Sequence, residues 1–432
     1  MEKLSEDLIR KISKSKGEPE WMLEFRLNSY KKFLELDNPS FGPKLDIDFD
    51  SINYYKKVGN NTDDWKNVNC GIYNRFKSLG VVDAEKNKLD GVTNQYESEV
   101  IYHNSRDELK NKGVIFESSD DALRDHPELF QEYFNHLVKY DENKFTALNG
   151  ALWSGGSFIY IPKNTKLDRP LQSYFRIDSV SLGQFERTII IVDENSELSY
   201  IEGCTALSHS QNSLHAGVVE IYVKKNAKMK YSTIQNWSRD VYNLVTKRAI
   251  CDENALMEWV DGNVGSKVTM KYPSCILKGD NSVGNSISIA YAKSNQILDA
   301  GAKMIHIGKN TRSNIISKSI ASEGGTANYR GTTKICESAL GSKASIKCDT
   351  IMLDDKSISD TIPKNVMLND ESTLEHEATV SRLSEEKLFY LESKGIPESK
   401  AKELLIMGFL SDFKKELPVE YAIELNRLLK EI

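Results

Sequence analysis

Six cysteines, at positions 70, 204, 251, 275, 336 and 348, are the side chains in this 432-residue chain whose chemistry best suits a reactive thiolate or a soft metal. No two of them have CxxC spacing, which argues against a structural zinc site. A chain of this size that opens MEKLSEDLIRK, without a signal peptide, is not expected to carry a disulfide framework. Cys204 lies in YIEGCTA, where Gly203 leaves room for a second backbone or a transferred group to approach. Cys348 lies in SIKCDT, where Lys347 would favour a thiolate and Asp349 would oppose it. Residue type alone ranks neither above Cys251, Cys275 or Cys336. The segment LEHEA sets Glu375, His376 and Glu377 in series, and on a strand the two glutamates face one way and the histidine the other. Thiolate, imidazole and carboxylate together suit iron or zinc, whereas charged triplets are most often solvated.

Such residues act together only if the fold aligns them. In QFERTIIIVDENSELSYIEGCT an apolar run, Ile189 to Val192, meets a polar corner at Asp193–Asn195, and alternation then resumes through Leu198, Tyr200 and Ile201 to Cys204. The shape returns at Asn226, Asn254, Asn281, Asn310 and, more weakly, Glu337, at intervals of 31, 28, 27, 29 and 27 residues. A repeat of that length without a 3.6-residue stripe predicts a coil of strands, a right-handed parallel β-helix. Stacked coils lie about 4.8 Å apart, so residues at equal offsets from their corners should be vertical neighbours. Cys204 and Gln235 each stand nine residues past their corners, and Cys348 stands eleven past Glu337. Five intervals put the two thiols on one side of the solenoid on the order of 24 Å apart. If both serve one reaction, something must travel between them.

Around this core, from about 144 to 368, the sequence predicts a helical and mixed region over 1–143 and a helical segment over 369–432. Helices are expected over 3–14, stopped at Gly17, from Glu18-Pro19 onward, around 71–79 and over 121–138; the stretch 39–64 reads as a connector. Three more follow Ser384, Pro397 and Pro418. A net charge of −6 without a basic stripe predicts no nucleic-acid partner, and no run of eighteen apolar residues predicts membrane insertion. A soluble, intracellular protein is expected.

The strings SEVIYHN, WSGGSFIYIP, QFERTIIIVDE, YIEGCTA, YSTIQNW, YNLVTKRAI, SKVTMKYPS, DAGAKMIHI, KCDTIMLD, LEHEATVSR and ELPVEYAIELNRL resemble, in order, those of SufB proteins, scaffold subunits of the SUF iron–sulfur cluster assembly system in the SufB/SufD family. The resemblance runs from about residue 98 to the end. It implies a β-helix core between helical ends, C-terminal helices that dock the SufC ATPase, and pairing with SufD, or with a second copy of the chain, through the β-helix ends. It implies that Cys204 accepts persulfide sulfur from the desulfurase SufS and a SufE- or SufU-type carrier. Arg176, Gln235, Trp237 and Lys247 would line the sulfur's route; Cys348 and Glu377, with His376 beside them, would hold a transient iron–sulfur cluster. Reduced flavin (FAD) is a further cofactor the resemblance leaves open. The setting it implies is a bacterial cytoplasm, with a plastid-type organelle as the alternative. The scaffold would not itself be an enzyme: no Gly-rich phosphate loop of the Walker type is present, and ATP hydrolysis falls to the partner.

Three departures from the family pattern stand out. Asp178 replaces the common Asn in FRID, adding a negative charge near an anionic cargo. Lys364-Asn365-Val366 replaces Tyr-Ile-Glu after TIP, and Cys70 is the only cysteine where some relatives carry a cluster of them. Two other functions compete: a SufD-like structural partner that receives no sulfur, against which both cysteine motifs speak, and a β-helix enzyme acting on polysaccharides, a class commonly secreted.

Overall fold

Asn195, Asn226, Asn254, Asn281 and Asn310 all take up left-handed backbone, with φ from 55° to 59°, a conformation Asn tolerates better than most residues. In the computed structural model, which describes residues 3–206 and 212–411, these are the corners of a parallel β-solenoid. Asn164 is a further corner (φ 61°), and the corner amides stack. Asn195 donates to Asn164 at 3.0 Å, Asn226 to Asn195 at 2.9 Å and Asn254 to Asn226 at 3.0 Å. Each corner sets the phase of the strand that follows.

The strands form two sheets. One has ten strands and carries, in stacking order, Leu171–Ile177, Glu197–Ala206, Lys228–Trp237, Leu256–Gly265, Val283–Lys293, Arg312–Ser322, Lys343–Met352 and Thr373–Arg382, all paired in parallel. The hairpin Gly91–Tyr96/Glu99–Ser105 adds to its first edge. The second sheet, of thirteen strands, closes the other side of the coil. Between them Leu198, Met229, Tyr231, Met257, Trp259, Ile315 and Ile346 bury the apolar part of the core with Val219, Ile221, Ala249 and Met304.

One corner is not where its weaker motif suggests. The corner after Asn310 is Gly341 (φ 70°), not Glu337. The ends His306 and Ile335 are in register, as are Arg312 and Lys343, so the later connection is two residues longer than the one beneath it. That extra length fills the bend around Cys336–Ser338 and delays the corner. Cys348 therefore stands seven residues past its corner rather than eleven, a shift by an even number that leaves its inward face unchanged.

Helices pack on the outer faces of both sheets, while the last strands, Thr361–Met367 and Thr373–Arg382, are mostly exposed. Glu6–Lys16 is capped by Ser5, whose side chain accepts from Leu8 N, and ends at Gly17 in left-handed conformation; Glu20–Glu35 follows. The expected helix over 121–138 is two short ones, Ser119–Asp125 and Pro127–Tyr133, because Pro127 restarts the helix at its own N-terminus. Lys144–Leu152 is a buried helix with an Asn143/Thr146 capping box, where the glycine-rich texture suggests only a boundary. Helices Cys70–Ser78, Val81–Lys88 and Glu398–Phe409 share the outer face of the ten-stranded sheet, where Phe76, Ile406 and Leu410 pack with Ile201, Ile234, Val260, Ile289 and Ile320. The helix expected from Pro418 lies outside the described residues. Among those described, no helix is long and apolar enough to cross a membrane.

Candidate functional site

Cys204 is fully buried on the inner face of Glu197–Ala206. Its register partner on the next coil is Gln235, as equal offsets from their corners predict, and Gln235 Nε2 lies 4.0 Å from the thiol sulfur. Trp237, two residues on, shares that face and packs with Cys204, Phe175 and Val241.

The same alternation places Glu202 beside Cys204. The thiol points at Glu202 Oε1 across 3.8 Å. That carboxylate is held by Lys247 Nζ at 2.7 Å from the opposite sheet and by the Tyr231 hydroxyl from the next coil, while Thr233 Oγ1 lies 3.4 Å away. Burial opposes charge on Glu202, but Lys247, the hydrogen bonds from Lys247 and Tyr231, and the more distant Lys271 outweigh it and hold the carboxyl below its usual range. Cys204 is pushed well above the ordinary thiol value, first by burial and then by Glu202 and Glu186, with Lys247 and Lys271 pulling the other way. A second buried ion pair, Lys271 to Asp261 at 3.1 Å, lies further along, with Asp261 two coils from Glu202 and Lys271 one coil from Lys247.

Cys348, in Lys343–Met352, faces the same interior. Its row, followed back through register partners, runs Ser317, Ser288, Asp261, Thr233, Glu202 and Ser173. Every one of these side chains is buried, and Ser288 donates to Ser317 at 3.1 Å. Cys204 belongs to the adjacent row, with Gln235, Asn263, Ala290, Ser319 and Thr350. The two thiols thus share one inner face five coils apart, and the row of Cys348 is polar from Ser317 back to Glu202, the neighbour of Cys204. Such a line costs stability unless its members find partners or a guest.

At the far end the thiol of Cys348 is 3.9 Å from His376 Nε2, and the other ring nitrogen of His376 is 3.2 Å from the Asn365 amide. Asn365, one of the departures noted above, therefore orients the imidazole from behind. Burial pushes Cys348 up to about 12, with the neighbouring Tyr329 hydroxyl pulling the other way, and burial lowers His376. Glu377 is not in this group. It faces outward, 65% exposed, with Lys347 Nζ 3.5 Å away. Lys347 is consequently directed away from the Cys348 thiol it flanks in sequence. Among the described residues no group of three or more His, Cys, Asp or Glu side chains is placed to hold a metal ion; Cys348 and His376 meet as a pair.

Arg176 is not in the interior either. Its register partner is Thr205, while its neighbour Phe175 pairs with Cys204 and faces in. Arg176 Nε bonds Asp178 at 2.8 Å, and Asp178 also accepts from Arg75 and, at 2.9 Å, from the Tyr96 hydroxyl. The negative charge at Asp178 is thus met by two guanidinium groups.

Glu202, Tyr231, Asp261 and Lys271 are the interior residues that motif reading passes over. For Glu202 a signal exists, since it stands two residues before Cys204 on a strand. For Lys271 none does, because its partner comes from the opposite sheet.

Fold and site together define a class of molecule, a parallel β-solenoid with buried thiols and a partly polar interior. Residues 175–409 match the family model described as SUF system FeS cluster assembly, SufBD core domain, and residues 87–173 match the SufBD protein N-terminal region. Among curated proteins, the chain is 55% identical over 429 residues to an iron-sulfur cluster assembly SufBD family protein of Staphylococcus saprophyticus, covering 99% of this chain and 92% of that one. It is 54% identical, with the same coverage, to the corresponding proteins of Staphylococcus epidermidis and Staphylococcus aureus. The chain belongs to the SufBD family of iron–sulfur cluster assembly proteins.

Proposed function

We propose that this chain is the scaffold on which sulfur and iron are joined: Cys204 accepts persulfide sulfur from a cysteine desulfurase and its carrier, and Cys348 with His376 receives it at the far end of the coil. What supports this is the buried polar line between the two thiols, since a sulfane sulfur is relayed only where polar groups or thiols stabilise it. Gln235, Thr233 and Lys247 serve the first step from Cys204, with the Trp237 indole packed beside the thiol. Asp261, Ser288 and Ser317 carry the middle.

The cluster is cargo. Two ligands from this chain leave coordination positions open, and these are filled across the exposed edge strand Thr373–Arg382 by a second chain, either a SufD paralogue or another copy. Glu377, on the outer face of that strand, joins the set only after its contact with Lys347 is released. A mixed and partial ligand set holds its cluster loosely enough to give it up. The helices after Ser384 dock the ATPase subunit, SufC, whose work on the complex opens and closes that edge.

The test is direct. After incubation with a desulfurase and carrier, mass spectrometry of the alkylated chain should show one additional sulfur on the peptide bearing Cys204. No added mass there, in a preparation that still binds its ATPase and paralogue, would reassign the chain to the structural-partner role.

A further inference from the structure

The Cys204 thiol has to lose its proton to act, and its surroundings make that unfavourable. It is fully buried, and burial, Glu202 and Glu186 all oppose the thiolate. The side chain positioned to take the proton is Glu202, with Oε1 3.8 Å from the sulfur. The same oxygen accepts from Lys247 at 2.7 Å, so carboxylate, ammonium and thiol converge on one point.

We infer that Glu202 is a catalytic residue, the proton acceptor for Cys204 during sulfur transfer, with Lys247 holding the charge that moves. The inference rests on the sulfur-accepting role proposed for Cys204. In the resting state Lys247 is paired with the Glu202 carboxylate. When the thiol proton passes to Glu202, the negative charge moves to the sulfur and Lys247 remains its counter-ion, so no charge is left alone in the interior. The Cys204 thiolate attacks the outer sulfur of a donor persulfide, R–S–SH. A new sulfur–sulfur bond forms at Cys204 as the donor's breaks, the departing R–S⁻ takes the electron pair, and the proton stored on Glu202 completes R–SH. One sulfane sulfur changes carriers, and nothing is oxidised or reduced overall.

The groups facing this site from the packed elements are consistent with that traffic. Lys247 comes from Val241–Cys251, Tyr231 and Thr233 from Lys228–Trp237, Asp261 from Leu256–Gly265 and Lys271 from Val268–Lys271. Tyr200 shares the strand of Glu202, and Glu186 precedes Arg187–Val192. Tyr231 donates to the carboxylate oxygen that does not face the thiol, leaving Oε1 to Lys247, Thr233 and the thiol.

The experiment uses the full chain with its partner subunits and glutathione persulfide as donor, measuring the rate of persulfide formation at Cys204 by rapid alkylation and mass spectrometry across pH. Glu202→Gln should slow the step about 100-fold at pH 7, a typical contribution of a positioned base. The deficit should shrink as pH rises, because the thiol can then ionise unaided. Glu202→Asp keeps the charge opposite Lys247 but withdraws the carboxylate from the sulfur; it should show an intermediate rate, and it decides the matter if the glutamine variant does not fold. Wild-type rates in either folded variant, or a deficit that stays constant with pH, would overturn the role of Glu202 while leaving Cys204 as acceptor. Failure of the wild-type chain to gain any sulfur at Cys204 would instead remove the acceptor reading, and this inference with it.

Discussion

Cys204→Ser and Cys348→Ser are each expected to abolish cluster formation while leaving the solenoid folded. Both side chains are buried, and serine is close to cysteine in volume, so the coils need not repack. What changes is the chemistry. An alkoxide is not accessible in this interior, and a hydroxyl cannot carry sulfane sulfur or ligate iron as a thiolate does. The two variants should nevertheless fail differently. Cys348→Ser should still acquire persulfide at Cys204 and stall there, whereas Cys204→Ser should acquire none. Cluster yield is read from the visible absorption of anaerobically purified complexes supplied through the native sulfur donors, and the fold from circular dichroism. Wild-type yield in either variant would count against the two-thiol account.

Lys247→Met is expected to cost more stability than any surface change. It removes the cation from a fully buried carboxylate, Glu202, whose pairing distance is 2.7 Å. Breaking such a pair from one side typically costs about 3–5 kcal/mol. The pH dependence identifies the cause. In the wild-type chain the Glu202 carboxyl is depressed, so its contribution is fully present above the ordinary carboxylate range and is lost as pH falls through the folded value. Without Lys247, burial dominates and raises that carboxyl, so the variant's penalty is largest at neutral pH and relaxes on acidification as Glu202 takes up a proton. The gap in thermal midpoint between wild type and variant should therefore narrow from pH 7 toward pH 5. The double variant Lys247→Met, Glu202→Gln, which leaves neither charge buried alone, should recover much of the loss. A gap that is independent of pH would mean that lost packing, not lost charge pairing, accounts for it.

How much of this was readable beforehand follows from which forces leave marks in a single sequence. Corners that demand left-handed backbone select Asn at 195, 226, 254, 281 and 310, so the repeat and the pairing of Cys204 with Gln235 were legible from spacing alone. The last corner was not. There the left-handed position is taken by Gly341 after a longer bend, and the apparent motif at Glu337 misled by four residues. Strand alternation separates His376 from Glu375 and Glu377, but which face turns inward depends on pairing with the buried Ile346, a cross-strand fact. Lys247 with Glu202 and Lys271 with Asp261 join one sheet to the other across the core. No periodicity encodes a contact of that kind, so the ionic lining emerged only with the fold. Arg176 shows the converse: a residue singled out by motif is turned outward by the same alternation that turns Phe175 in.

The claim on which the rest depends is that sulfur travels inside the coil from Cys204 to Cys348. Sulfur-35 can be loaded onto Cys204, the donor removed, and iron and reductant added without oxygen to the complex carrying either the wild-type chain or Ser317→Val, which sets a branched apolar side chain in the row next to Cys348. The account predicts that labelled, acid-labile sulfide appears with the cluster in the wild type, while in the variant the label stays on Cys204. Equal transfer of label in both, or a wild-type cluster built from unlabelled sulfur, would contradict it.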